Sequence, residues 1–195
     1  MRPTMKKTLV ILGHPDRNSL CATLARSYAE AARTAGAEVR DLHLVELDFD
    51  PVLWHGYHRI QPLETDLVTA QALIGWAQHL VFVYPNWWGS MPALLKGFLD
   101  RVLMPGFAFR YRENSPFWDK LLTGRSAHLI VTMDTPGWYY RWIYRMPGHN
   151  DMKRAILGFC GIRPVRVSQF TVVRNSSREQ RENWIARVRS LAQKA

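Results

Sequence analysis

Three loops hold the residues whose types and spacing could do chemistry. The first is Gly13-His-Pro-Asp-Arg-Asn-Ser-Leu20, a turn of imidazole, hydroxyl and amide groups that opens a helical pattern. Ser19 can cap that helix, and the free N–H groups of its first turn, together with the helix dipole, form an anion site. On that reading Arg17, Asn18 and Ser19 contact a phosphate. On the plainer reading the loop is a helix cap after a strand-to-helix turn, and His14 packs at the strand end. No G-x-G-x-x-G is present, which weighs against a dinucleotide fingerprint. The second loop is Tyr84-Pro-Asn-Trp-Trp-Gly-Ser90. Two adjacent tryptophans are costly to leave in water and suggest a flat partner, either another subunit or a planar cofactor. Packing under the loop is the plainer alternative. The third is Thr132-Met-Asp-Thr-Pro-Gly-Trp-Tyr-Tyr-Arg-Trp-Ile-Tyr-Arg-Met-Pro-Gly-His149, with five aromatic residues after a turn. Tyrosine or histidine donors here could stabilise negative charge on a bound ring. The segment over 138–144 reads equally well as an amphipathic interface helix.

Elements must bring these loops together. Five apolar, β-branched runs occur at residues 8–13, 38–44, 79–84, 128–133 and 165–173. The first, third and fourth are continuously apolar, as strands covered on both faces are, while the second and fifth alternate. Helical patterns lie between and after them at 19–35, 63–78, 92–103, 148–160 and 177–193. Gly36 is placed to end the first helix. In the third helix Leu94, Leu95, Phe98, Leu99, Val102 and Leu103 recur at helical spacing, Ser90 is placed to cap it, and Pro92 falls in its first turn. Trp184, Val188 and Leu191 mark the buried side of the last helix. Residues 49–63 and 105–125 read as irregular.

Strand and helix in alternation predict an α/β fold with a parallel sheet and right-handed crossovers. Five strands favour the flavodoxin-like order 2-1-3-4-5 with helices on both faces. In that order the three loops leave the C-terminal ends of neighbouring strands at the switch point, where open sheets bind ligands. The tryptophan loop then becomes a candidate wall for an isoalloxazine ring. Its backbone N–H groups would bond the ring's N5 and O4 edge, and Gly89 and Ser90 would allow close approach.

Whole-chain properties bound the answer. At 195 residues and 47% hydrophobic, the chain is expected to be one globular domain over 1–195. Cys21 and Cys160 fall in no metal-like spacing and are expected to be reduced, so no metal is expected. The apolar run at 9–12 is too short for a signal segment, and no stretch approaches a membrane span, so a cytoplasmic location is expected. Net charge is +10 and favours anionic partners, with arginines crowded over 174–189. No nucleic-acid-binding module is visible, so nucleic acid is not an expected partner.

The run Pro85-Asn-Trp-Trp-Gly-Ser-Met-Pro-Ala-Leu-Leu-Lys-Gly-Phe-Leu-Asp-Arg-Val-Leu103, followed by Pro105-Gly-Phe-Ala-Phe109, resembles the signature of the NAD(P)H:quinone oxidoreductases. These are the DT-diaphorase and modulator-of-drug-activity flavoproteins, and they include ancillary oxidoreductases of glutathione-gated potassium efflux. Ile11-Leu-Gly-His-Pro15 with Asn18-Ser19-Leu20 is similar to the family's first flavin-phosphate loop. The resemblance implies a flavodoxin-like fold, a homodimer and a tightly held flavin, FMN or alternatively FAD. It implies two-electron, ping-pong hydride transfer from NADH or NADPH to quinones or similar flat acceptors. By motif, His14, Asn18, Ser19 and Leu20 would hold the ribityl phosphate. Pro85, Asn86, Trp87 and Trp88 would line the ring, and Thr135 and Gly137 would meet its pyrimidine edge. The family's tyrosine and histidine near flavin and substrate would be Tyr139 or Tyr140, and His149. Where the family commonly carries paired glycines, this chain has Pro136-Gly137. An alternative implied role is a flavoprotein ancillary subunit that docks on a membrane potassium-efflux transporter.

Overall fold

Side chains of a strand alternate between faces, so a strand apolar at every position must be covered twice. The computed structural model, which describes residues 6–56 and 58–194, shows how. Residues 1–5, 57 and 195, included in the expected single domain, lie outside the described residues. β1 (Lys7–Leu12), β2 (Glu38–His43) and β3 (His79–Pro85) join β6 (Ser126–Met133) and β7 (Val165–Thr171) in a parallel sheet. Its order is β2-β1-β3-β6-β7. With the short strands between β3 and β6 set aside, this is the expected 2-1-3-4-5. Val10 pairs with Val81 and Val81 with His128 across the centre.

Odd and even positions feed two cores. Val10, Leu12, Val81, Val83 and Ile130 pack under α1 (Leu20–Thr34) and α6 (Arg178–Gln193). Leu9, Ile11, Leu80, Phe82 and Leu129 pack under α2 (Thr65–Trp76) and α3 (Ala93–Val102). Ser19 caps α1 by accepting the Ala22 amide. Ser90 does not cap α3: Pro92 holds the cap position, and Ser90 is drawn into a tight turn with Trp87.

The stretches read as irregular carry structure. Residues 105–125 contain a small antiparallel pair, β4 (Phe109–Tyr111) with β5 (Trp118–Lys120). The two ends of the other stretch, residues 49–63, are fastened to α3 at Asp50 and Pro62 by Arg101, which is fully buried. Its guanidinium donates to the carbonyl oxygens of Asp50 and Pro62 and grips the Glu64 carboxylate with both nitrogens, at 3.1 and 2.8 Å. A buried charge is tolerable only when paired and hydrogen-bonded in this way.

The helix expected at 148–160 is also different. α4 (Gly137–Trp142) occupies the aromatic stretch, and α5 (Pro147–Asn150) runs into a π-helical turn, Asp151–Leu157. Arg145 and Met146 both take positive φ, 58° and 53°, so the chain cannot continue as one helix between α4 and α5.

Candidate active site

Backbone hydrogen bonds stitch the strand ends into one crest. Gly13 N–H donates to the Val83 oxygen at 2.9 Å, which draws the first loop onto β3. A Cβ there would be crowded, meeting Leu95 Cδ2 at 3.0 Å and Tyr84 Cβ at 3.2 Å. Asn86 N–H donates to the Thr132 oxygen at 2.7 Å, and Val173 N–H to the Met133 oxygen at 3.3 Å. Arg174 N–H donates to Asp134 Oδ1 at 2.7 Å.

The first loop is organised around Asp16. Its N–H donates to His14 Nδ1 at 2.9 Å, and its carboxylate accepts the Asn18 N–H at 2.8 Å. With Nδ1 accepting, the neutral His14 ring carries its proton on Nε2 and can donate outward. Burial holds the His14 pKa below its ordinary value, partly opposed by Asp16. The Ser19 hydroxyl donates to the Asp16 oxygen at 2.7 Å while capping Ala22. The Leu20 and Cys21 amides of the first turn have no partner among the described residues.

The second loop is a two-residue turn. Trp87 N–H donates to the Ser90 oxygen at 2.9 Å, and Ser90 N–H returns to the Trp87 oxygen at 3.0 Å. The residues between them, Trp88 and Gly89, have φ of 54° and 80°. Positive φ at both central positions defines the mirror-image turn that suits glycine or asparagine, and a tryptophan there is strained. Trp88 is fully exposed, so burial does not hold it there. Neither its N–H nor that of Gly89 has a partner among the described residues.

Between these loops lies a cavity of about 430 Å³. His14, Ser19, Leu20 and Cys21 line it from the first loop, Pro85 to Trp88 from the second, and Thr132 to Thr135 from the third. Val173 closes it beside β7. A second depression of about 500 Å³ shares Asn86, Trp88 and Thr135, and adds Gly89, Tyr144 and Pro147. Trp88 therefore stands between two hollows.

Eight sequence-proposed residues meet at the first cavity: His14, Ser19, Leu20, Pro85, Asn86, Trp87, Trp88 and Thr135. Gly89 lines only the second. Arg17 turns away to pair with Glu46 at 3.1 Å, and Asn18 lies exposed beside it. Gly137 starts α4 behind the cavity, where a Cβ would meet Gln169 Nε2 at 3.1 Å. Tyr139 is half-buried and stacks edge-on against Tyr144.

Tyr140 and His149 do not reach the first cavity. Both are buried behind the 87–90 turn, with ring centroids 4.9 Å apart. Burial lowers the His149 pKa to about 4, and His149 Nε2 has no hydrogen-bond partner among the described residues. The tyrosine that lines the second depression is Tyr144, for which the sequence left an interface-helix role and a site role equally open. Sequence reasoning also missed Cys21, Thr132, Met133, Asp134 and Val173. The first sits one residue past the proposed phosphate loop, and the next three lie within the quoted third loop. Val173 gave no signal, because it joins the crest only through the β6–β7 pairing. Cys21 Sγ lies 3.2 Å from Thr132 Oγ1, and burial pushes the thiol up to about 12, so it is a packing group.

Among the described residues no cluster of three or more His, Cys, Asp and Glu could hold a metal, and no helix is long and apolar enough to cross a membrane. The chain resembles a ribosyldihydronicotinamide dehydrogenase-like protein, traD, of Penicillium crustosum, with 32% identity over 68% of this chain. It is 27% identical over 80% of its length to the NAD(P)H dehydrogenase [quinone] 1 of Rattus norvegicus. It spans 58% and 65%, respectively, of those two proteins. The crystal structure of Smu.1420 from Streptococcus mutans UA159 superposes with a TM-score of 0.79 and 28% identity, covering 97% of this chain and all of that one. A family model described as a flavodoxin-like fold matches residues 6–192, and with the sheet order observed here the chain belongs to that flavodoxin-like family.

Proposed function

We propose that this chain is a flavin-dependent NAD(P)H oxidoreductase that delivers two electrons to quinones or similarly flat aromatic acceptors. The observation that carries the reading is the first cavity, which joins a helix N-terminus at one end to an aromatic turn with unpartnered amides at the other. A flavin has that same polarity, with a phosphate at one end and a flat, hydrogen-bonding ring at the other. The two relatives named for nicotinamide dehydrogenation support the same assignment.

The residues present fit such a group. The free Leu20 and Cys21 amides and the α1 dipole would hold the phosphate, and His14 Nε2–H would add a donor. Pro85, Asn86, Trp87 and Thr135 would line the ring. Trp88, standing between the two hollows, would separate ring and acceptor from water. The cofactor, when bound, supplies the two-electron chemistry, and the protein supplies orientation and electrostatics. FMN is favoured over FAD by the short first loop.

Roles for the tyrosines follow the geometry. Tyr144 is the proposed donor toward an acceptor in the second hollow, with Tyr139 stacked beside it. A homodimer completes the proposal: Trp88, Trp138, Trp142 and Ile143 are exposed together near the site, and a second copy would cover them. The test is to identify flavin in purified protein, then follow NADH and NADPH oxidation with a panel of quinones. Turnover with quinones that depends on added flavin supports the reading. Flavin-replete protein that oxidises neither nucleotide overturns it.

A further inference from the structure

Tyr140 stands behind the tryptophan turn, not in front of it. It is completely buried. Its hydroxyl donates to the Gly89 oxygen at 3.2 Å and accepts the Gly148 N–H at 3.1 Å. The Gly148 N–H also donates to the same Gly89 oxygen, at 2.9 Å. One carbonyl at the tip of the turn is thus held by donors from two helices, α4 and α5. The fit is tight: a Cβ on Gly148 would lie 2.6 Å from the Gly89 oxygen and 3.0 Å from Ser90 Cα.

This clamp answers the strain in the turn. A left-handed tryptophan is strained and persists only when its surroundings over-determine it. The Trp88 side chain is exposed and offers no such anchor. The anchor lies on the next residue, at the Gly89 oxygen. Burial also raises the Tyr140 phenol above its ordinary range, so the hydroxyl keeps its proton and remains a donor.

We propose that Tyr140 is a positioning residue: with the Gly148 amide it fixes the tip of the 87–90 turn, aims the free Trp88 and Gly89 amides at the cofactor ring, and thereby sets the affinity and redox potential of the bound flavin. This rests on the flavin reading of the first cavity.

Two variants test it. Tyr140→Phe removes only the hydroxyl, and Gly148→Ala presses a methyl against the Gly89 carbonyl. Each is measured in two ways. The first is amide hydrogen exchange at Trp87 and Ser90 in flavin-free protein, with β1, β3 and β6 as internal controls. The second is the dissociation constant for FMN and the midpoint potential of the bound flavin. In Tyr140→Phe, both the exchange rates at the turn and the FMN dissociation constant should rise about five- to tenfold, the loss of one neutral hydrogen bond. The potential should shift from the parent's in both variants, while control strands stay protected. Unchanged exchange at the turn overturns the clamp. Faster exchange with parental FMN affinity and potential overturns its role toward the cofactor. Parent protein that takes up no flavin overturns the reading of the cavity, and with it this proposal, whatever the exchange shows.

Discussion

The imidazole of His14 meets the indole of Trp87 edge-on, with ring centroids 5.5 Å apart. This contact ties the loop after β1 to the loop after β3 across the mouth of the cavity. Both residues line it, so the contact sets the spacing between the phosphate end and the ring end.

Replacing His14 with alanine removes this contact and the outward-facing Nε2 donor together. An edge-on aromatic pair contributes about 0.5–1.5 kcal/mol, so the FMN dissociation constant should rise about tenfold or more. The fold should be kept, because His14 is only partly buried and its loop bonds run mainly through Asp16. Isothermal titration with FMN, with a melting curve beside it, checks both halves.

Trp88 offers a separation of strain from binding. Asparagine tolerates left-handed φ, so Trp88→Asn should leave flavin-free stability unchanged or raise it by up to about 1 kcal/mol. Flavin retention should fall in the same variant. Urea denaturation of flavin-free protein and FMN titration measure the two. A loss of flavin-free stability would show that the indole packs, as the plainer reading of the tryptophan pair had it.

The sheet order was legible because the central strands are almost continuously apolar and the edge strands alternate. The cavity was legible because three suggestive loops followed strands that a 2-1-3-4-5 sheet makes neighbours. Less could be read where long-range contacts decide. Nothing local marks Arg101 as the buried anchor at the two ends of residues 49–63, since its partners are 37 to 51 residues away. Arg17 looked like a phosphate ligand but pairs with Glu46, which the β1–β2 pairing brings alongside. Tyr139 and Tyr140 could not be ranked from sequence, and neither lines a hollow: Tyr140 is buried behind the turn, and the tyrosine at the second hollow is Tyr144.

The Arg101 anchor predicts a large stability effect away from the site. Arg101→Ala strands the Asp50 and Pro62 carbonyls and half of the Glu64 pair. Breaking a buried pair from one side costs about 3–5 kcal/mol, and the upper part of that range is excluded by the partial exposure of Glu64. A loss of about 3 kcal/mol in urea denaturation is expected, with FMN affinity of the folded fraction little changed.

Acid sensitivity follows from three buried histidines: His149, lowered to about 4, and two that are hydrogen-bonded. His79 bonds Ser126 Oγ at 2.8 Å and Tyr28 at 3.3 Å, and His128 bonds Ser168 Oγ at 3.0 Å. Burial, aided by nearby positive charge, lowers their pKa values to about 3 and about 4. The unfolded chain titrates all three near 6.5, so below that pH it binds more protons than the fold does. Stability should be level above about pH 7 and fall steadily as pH drops from about 6.5 toward 4. Melting temperatures across that range check the sign, and His128→Gln should flatten part of the slope.

Flavin binding itself is the most direct test. Flavin-free protein titrated with FMN should quench flavin fluorescence with about one flavin bound per chain, at a dissociation constant below roughly 10 μM. Anaerobic NADH or NADPH should then bleach the visible flavin band. Protein that is folded by circular dichroism yet binds neither FMN nor FAD would contradict the account.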